Sequence, residues 1–233
     1  IFNRADQLTN PLSNASTQQS SFGLDNCEQG VGVAERHGEN WLMLNGIIPL
    51  MRTADIRIAG SHNIANVAAA FAIAIAAGWD LAACANAVRQ FKGLPHRCQW
   101  VAEKNGVRFY NDSKGTNIGA TVAAIEGLAG NKNIVLIAGG DSKGADFSQL
   151  APVVKQHVRQ LVLIGRDAEQ IAAACADVKQ VRARSMVDAV QQSQQLAVDG
   201  DVVLLSPACA SFDMFDGYED RGRQFCAAVE ALV

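Results

Sequence analysis

The chain has 233 residues, 49% of them apolar and 18% charged, with 20 glycines; this composition builds a buried core and excludes intrinsic disorder, and the length suits one full domain plus a smaller piece. A formal net charge of -3, with Lys and Arg scattered along the chain, gives no basic footprint for nucleic acid or an anionic membrane, so an anionic ligand has to be caught locally.

In chain order, "NRADQLTNPLSNAS" reads as a short capped helix and a loop. The stretch "GVGVAERHGENWLMLNGIIPLM" alternates apolar and polar residues around Gly-Glu-Asn and Asn-Gly turns, the pattern of antiparallel hairpins. "GSHNIANVAAAFAIAIAAG" opens on polar caps and stops at Gly78, and "DLAACANAVRQF" makes a second helix from Asp80. Its apolar run, Val67 to Trp79, is too short to span a bilayer and predicts a buried helix. "KGLPHR" breaks the pattern and marks a boundary, with Gly93 and Pro95 making domain rotation there an expectation. Beyond it, "RCQWVAEKNGVRFYNDS" is a hairpin turning at Asn-Gly. Helical and β-rich runs then alternate: "TNIGATVAAIEGL", "NIVLIAGG", "SQLAPVVKQHV", "QLVLIG", "DAEQIAAAC", "VKQVRA", "SMVDAVQQSQQLA", "DVVLLSPA" and a terminal helix from "DRGRQF". Strands separated by helices of this length imply right-handed βαβ units and a doubly wound, mostly parallel α/β sheet of Rossmann-like type, whose ligands bind outside the carboxyl ends of the strands.

Six cysteines, at 27, 84, 98, 175, 209 and 226, show no CxxC pair and no His at metal-ligand spacing. They read as reduced thiols in a cytoplasmic protein. No signal peptide is apparent, so the sequon at Asn14 carries no weight. The chain starts at Ile1 without Met, which suggests a piece of something longer.

Four loops that follow strands hold more polar side chains than turns require. In "NDSKGTN", Asp112 or Ser113 serves as a helix cap and Gly115 as a turn residue on the plain reading. That leaves Lys114 unexplained at a helix N-terminus, where the macrodipole disfavours a cation unless an anion is near. The sharper reading has Asp112 accepting from a ribose diol, with Lys114 and Thr116 meeting phosphate or carboxylate. "AGGDSKGADF" is neither GxGxxG nor a GxxxxGK[ST] cradle; its Lys143 is either a solvated turn lysine or a ligand cation. "IGRDA" reads as structural. In "SPACASFDMFDGYEDRGRQF", no His is present to activate Cys209, so a packed thiol is preferred over a nucleophile. Ser211 either caps the following turn or donates to a carboxylate. In "GSHNIANV", Asn63 and Asn66 share a helical face, as caps or as ligand contacts, and His62 reads as structural rather than as a ligand. Arg97 either forks onto phosphate or locks two domains through a carboxylate.

"GLPHR", "NDSKGTN", "GGDSKGADF" and "LLSPACASFDMFDGYEDRGRQF", in this order, resemble the Mur ligase family, the ATP-dependent amide ligases that build the peptide stem of bacterial cell-wall precursors, and among its branches the one that adds D-glutamate. The resemblance covers nearly the whole chain. It implies phosphorylation of the carboxylate of UDP-N-acetylmuramoyl-L-alanine by ATP with Mg2+, then attack by the D-glutamate amine on the acyl phosphate. It also implies site roles. Thr116, Lys143, Ser211 and the backbone around Phe212 and Tyr218 hold the D-glutamate carboxylates; Asn63, Asn66, Arg97 and Asp112 contact ATP; Lys114 faces the reacting groups. Tyr218 stands where the pattern commonly has Phe. The family's UDP-binding domain, phosphate loop, modified lysine and metal ligands have no counterpart in these residues. Residues 1–93 are therefore expected to be the last part of a central ATPase domain, with antiparallel strands and two helices, and 94–233 the C-terminal domain. Such a chain is expected to be a monomer, inactive alone, with no metal site of its own. The competing readings are a non-catalytic nucleotide-binding module, a ligand-free structural fragment, and a folylpolyglutamate synthetase-like ligase preferring the L isomer.

Overall fold

The computed structural model describes residues 1–11 and 18–232, which divide into two compact units, Ile1–Lys92 and Gly93–Val233. The sequon at Asn14 lies outside the described residues.

The first unit holds strands β1 (Phe2–Asn3), β2 (Ser21–Phe22), β3 (Val31–Arg36), β4 (Glu39–Leu44) and β5 (Ile48–Arg52), followed by helices α1 (Ser61–Ala76) and α2 (Leu81–Gln90). The sheet runs in the order β1-β2-β3-β4-β5. The β3-β4-β5 meander is antiparallel, as the alternation predicts, and its first turn is His37-Gly38, with Glu39 and Asn40 already in β4. β1 and β2 pair parallel to it, which two-residue strands cannot signal. The expected first helix is a single 3-10 turn, Gln7–Thr9, capped by Asp6. One apolar side of α1 covers the sheet, so Val67, Ala68, Phe71 and Ala72 bury against Val31, Leu42 and Met51. Full burial of a ring such as Phe71 stabilises by about 2–3 kcal/mol. Asp80 caps α2 by accepting from the amides of Ala82 and Ala83.

The second unit opens with the hairpin of β6 (Gln99–Lys104) and β7 (Val107–Asn111), turning at Asn105-Gly106, where both φ angles are positive. There follow α3 (Ile118–Leu128), β8 (Ile134–Ala138), α4 (Ala151–His157), β9 (Val158–Leu163), α5 (Ala168–Ala174), β10 (Gln180–Arg182), α6 (Met186–Leu196), β11 (Val202–Leu205) and α7 (Tyr218–Glu230). The sheet order is β10-β9-β8-β11-β7-β6, parallel except for the β6 edge. Ile137, Val162, Val203 and Leu205 pack on α6 and α7, while Ile134, Leu136, Leu161 and Leu204 between them are equally buried. Burial on both faces explains why these strands read as unbroken apolar runs. α7 begins at Tyr218, ahead of the expected "DRGRQF", because Gly217, at φ +144°, supplies the break in front of it. Among the described residues, no helix is long and apolar enough to cross a membrane.

Candidate functional site

Because β7, β8, β9 and β11 are parallel, the four loops singled out in the sequence all leave the same edge of the sheet. The β11 loop lies at its centre. Gly139 donates its amide to the Pro207 carbonyl (2.9 Å), and Asp141 and Ala210 exchange both backbone hydrogen bonds as an isolated antiparallel bridge (3.0 and 2.9 Å). This approach needs glycine. Gly139 has φ +124° and Gly140 φ +135°, and a Cβ on either would run into the carbonyl of Ile164 or Ala210. The "IGRDA" loop joins the cluster: Asp167 accepts from the Ser142 amide (2.7 Å), and the Arg166 amide donates to Asp213 (2.8 Å).

The β7 loop is fixed more tightly than capping requires. The cap of α3 is Asn117, which accepts from the Ala120 amide (2.9 Å), so neither Asp112 nor Ser113 plays that part. Asp112 instead accepts from the Cys98 amide (3.1 Å) and the Ser206 hydroxyl (2.7 Å). Each of its oxygens keeps one lone pair for a further donor, which fits a ribose hydroxyl. Burial, only partly offset by these bonds, raises its pKa to about 6. A carboxyl raised in the folded state binds its proton more readily folded than unfolded, so stability falls as pH rises from about 4 to about 6. Asp112→Asn is expected to flatten that slope, giving a variant about 2–3 kcal/mol more stable than the parent at pH 7 and equal to it near pH 4. Urea titrations at both pH values check this; equal differences at the two would refute it.

Lys114 does not stand on a helix N-terminus. It precedes α3 by a short turn, its amide donates to the His96 carbonyl (2.9 Å), and its ammonium lies 3.8 Å from the centroid of the Tyr218 ring. The ring lies against this cation, and the Glu219 carboxylate acts on it electrostatically. Ser211 does not cap through its side chain: its carbonyl accepts from Met214 and Phe215, and its hydroxyl, 1% exposed, has no hydrogen-bond partner among the described residues. A buried orphan hydroxyl at this edge fits a polar ligand group. Cys209 is buried and its thiol pushed up to about 12 by that burial, which suits a packed thiol and not a nucleophile. Lys143, at φ +52°, is exposed, its amide donating to Asp141 (3.0 Å), and Phe212 is 73% exposed.

The sequence reading overlooked Arg221. This residue is 1% exposed and donates to the Ser113 hydroxyl and carbonyl and to the carbonyls of Cys209 and Ala210, at 2.8–3.3 Å. Burial lowers its pKa to about 10, which leaves it charged near neutrality. Beside it, Gly222 lets His96 pack where a Cβ would collide with its ring.

Asn63 and Asn66 belong to the first unit, Arg97 and the other candidates to the second. Asn63 donates to the Ala59 carbonyl (2.6 Å) and Asn66 to Asn63 (3.3 Å); Arg97 is exposed. Among the described residues no group of three or more His, Cys, Asp or Glu is placed to hold a metal ion.

Residues 96–209 match the family model described as Mur ligase, glutamate ligase domain. The whole chain is 48% identical to the UDP-N-acetylmuramoylalanine–D-glutamate ligase of Acinetobacter baylyi and covers 54% of that protein. It is 47% identical to the like-named Pseudomonas aeruginosa protein, covering 52% of it, and 98% of the chain is 50% identical to that of Saccharophagus degradans, covering 51%. The chain thus spans about half the length of these relatives. Among solved structures, the fold is similar to UDP-N-acetylmuramate-alanine ligase MurC from Thermotoga maritima (TM-score 0.62, 16% identity, 91% of this chain and 48% of that one) and to the MurF ligase of the same organism, solved with ADP (TM-score 0.59, 14% identity, 91% and 49%).

Proposed function

The chain belongs to the Mur ligase family, and on that premise we propose that the whole protein is an ATP-dependent, ADP-forming amide ligase that joins D-glutamate to UDP-N-acetylmuramoyl-L-alanine in cell-wall precursor synthesis in the cytoplasm. Residues 1–93 act as the last part of its central ATP-binding domain and 94–233 as its C-terminal domain. The observation that most supports this is the gathering of Lys114, Thr116, Lys143 and the orphan Ser211 hydroxyl on loops leaving one sheet edge.

D-glutamate carries two carboxylates and must present a free amine. Lys143, Thr116, Ser211 and the backbone at Phe212 and Tyr218 hold the carboxylates, leaving the amine to attack. Lys114 stabilises charge developing on the phosphoryl and acyl oxygens. Asp112 receives the ribose hydroxyls, and Arg97, Asn63 and Asn66 complete the ATP contacts. ATP supplies the phosphoryl group, with Mg2+ held by residues elsewhere in the protein.

The test is phosphate release by the whole protein with ATP, magnesium and the UDP-linked precursor, comparing D-glutamate, L-glutamate and meso-diaminopimelate. Release with D-glutamate alone is expected, and none from these 233 residues by themselves. Release with L-glutamate favours a folylpolyglutamate-type ligase, and release with none favours a nucleotide-binding module.

A further inference from the structure

We propose that the aromatic face of Tyr218 is a positioning element for Lys114, a perch that holds the reactive ammonium by a cation–π contact; the reading of Lys114 as the reacting-group cation comes from the proposed function, and the perch is the new part. The geometry is a closed frame. Lys114 Nζ lies 3.8 Å from the ring centroid, well inside the distance at which such contacts act. Among the described residues the half-buried Lys114 makes no direct ion pair; the ring is the group against its ammonium, with the Glu219 carboxylate acting on it at longer range.

The two partners are tied together through their backbones. The Ser113 hydroxyl, one residue before Lys114, donates to the Tyr218 carbonyl (2.8 Å), and Arg221 donates to both the hydroxyl and the carbonyl of Ser113 (2.9 and 2.8 Å). His96 stands edge-on to Tyr218 with centroids 6.0 Å apart and planes at 82°, and its carbonyl accepts from the Lys114 amide (2.9 Å). Burial pushes the His96 imidazolium downward, so this edge is neutral near pH 7 and brings no second cation to the ring. A hydrogen bond to the Glu219 carboxylate holds the Tyr218 phenol above its ordinary range, so the lysine faces a neutral π system and not a phenolate.

Such a perch restrains a flexible four-carbon side chain without neutralising it. A carboxylate in the same place would compete with the ligand for the ammonium; a ring face attracts it and yields more readily to an anion. Either Tyr or Phe supplies the face, so Tyr in place of Phe leaves the device intact.

The test separates ring electrostatics from shape. In the whole protein, Tyr218 is replaced by phenylalanine and by mono-, di- and trifluorophenylalanine, which keep the ring's size while draining its face of negative potential. Turnover at saturating substrates is expected to fall stepwise along the fluorinated series, by about fivefold at the end, with KM for D-glutamate nearly constant. A flat series, or an effect confined to KM, overturns the proposal. Independently of activity, the Lys114 ε-methylene protons are expected to show an upfield ring-current shift that Tyr218→Leu abolishes; identical shifts in both also overturn it. Absence of D-glutamate-dependent release in the unmodified enzyme refutes the functional reading alone, and the proton shift then decides the perch by itself.

Discussion

Arg221→Ala is expected to lower the stability of the second unit by about 3–5 kcal/mol, the largest effect of any single substitution considered for this fold. The guanidinium is 1% exposed and its bonds reach the β7 loop at Ser113 and the β11 loop at Cys209 and Ala210. Truncation removes those bonds, leaves three carbonyls buried without these donors, and opens a cavity. Arg221→Met separates the contributions. It restores most of the volume but none of the donors, so about 2–3 kcal/mol of loss is expected to remain. Urea denaturation of the parent and both variants checks this. A loss below about 1 kcal/mol for both would mean that the freed carbonyls find other partners.

Lys114→Met in the whole protein is expected to lower turnover by about 100-fold to 1000-fold with a smaller change in KM, since under the proposed function it deletes a charge met mainly by the transition state. The apolar chain of Met still reaches the Tyr218 ring, so folding should be unaffected. Lys114→Arg is expected to recover only part of the loss, because a planar guanidinium stacks on the ring differently from a compact ammonium. Steady-state phosphate release gives both numbers. Turnover within tenfold of the parent for Lys114→Met would remove this residue from the reaction.

Much of the second unit was legible because each strand buried on both faces forms an unbroken apolar run, and these runs alternate with helical segments such as "TNIGATVAAIEGL" and "SMVDAVQQSQQLA". The loops were recognisable as chemistry for the same reason: Asp112, Lys114 and Lys143 exceed what a turn needs. What sequence could not give was the partner of each polar group. A polar residue after a strand looks like a cap, yet Asp112 bonds to Cys98 and Ser206, the latter 94 residues away. Arg221 was invisible for a related reason, since an arginine in the first turn of an amphipathic helix reads as surface until the loops folding over it are known. Parallel pairing of β1 and β2 was likewise out of reach, two residues being too few for any period to show.

The bridge between Asp141 and Ala210, together with the Asp167–Ser142 and Arg166–Asp213 hydrogen bonds, makes three loops of this edge one rigid piece. Ordering such segments costs about 1–2 kcal/mol of conformational entropy per residue, and here that cost is met during folding. A ligand arriving at the edge therefore finds the backbone of these loops already ordered, so little of its binding energy is lost in ordering them.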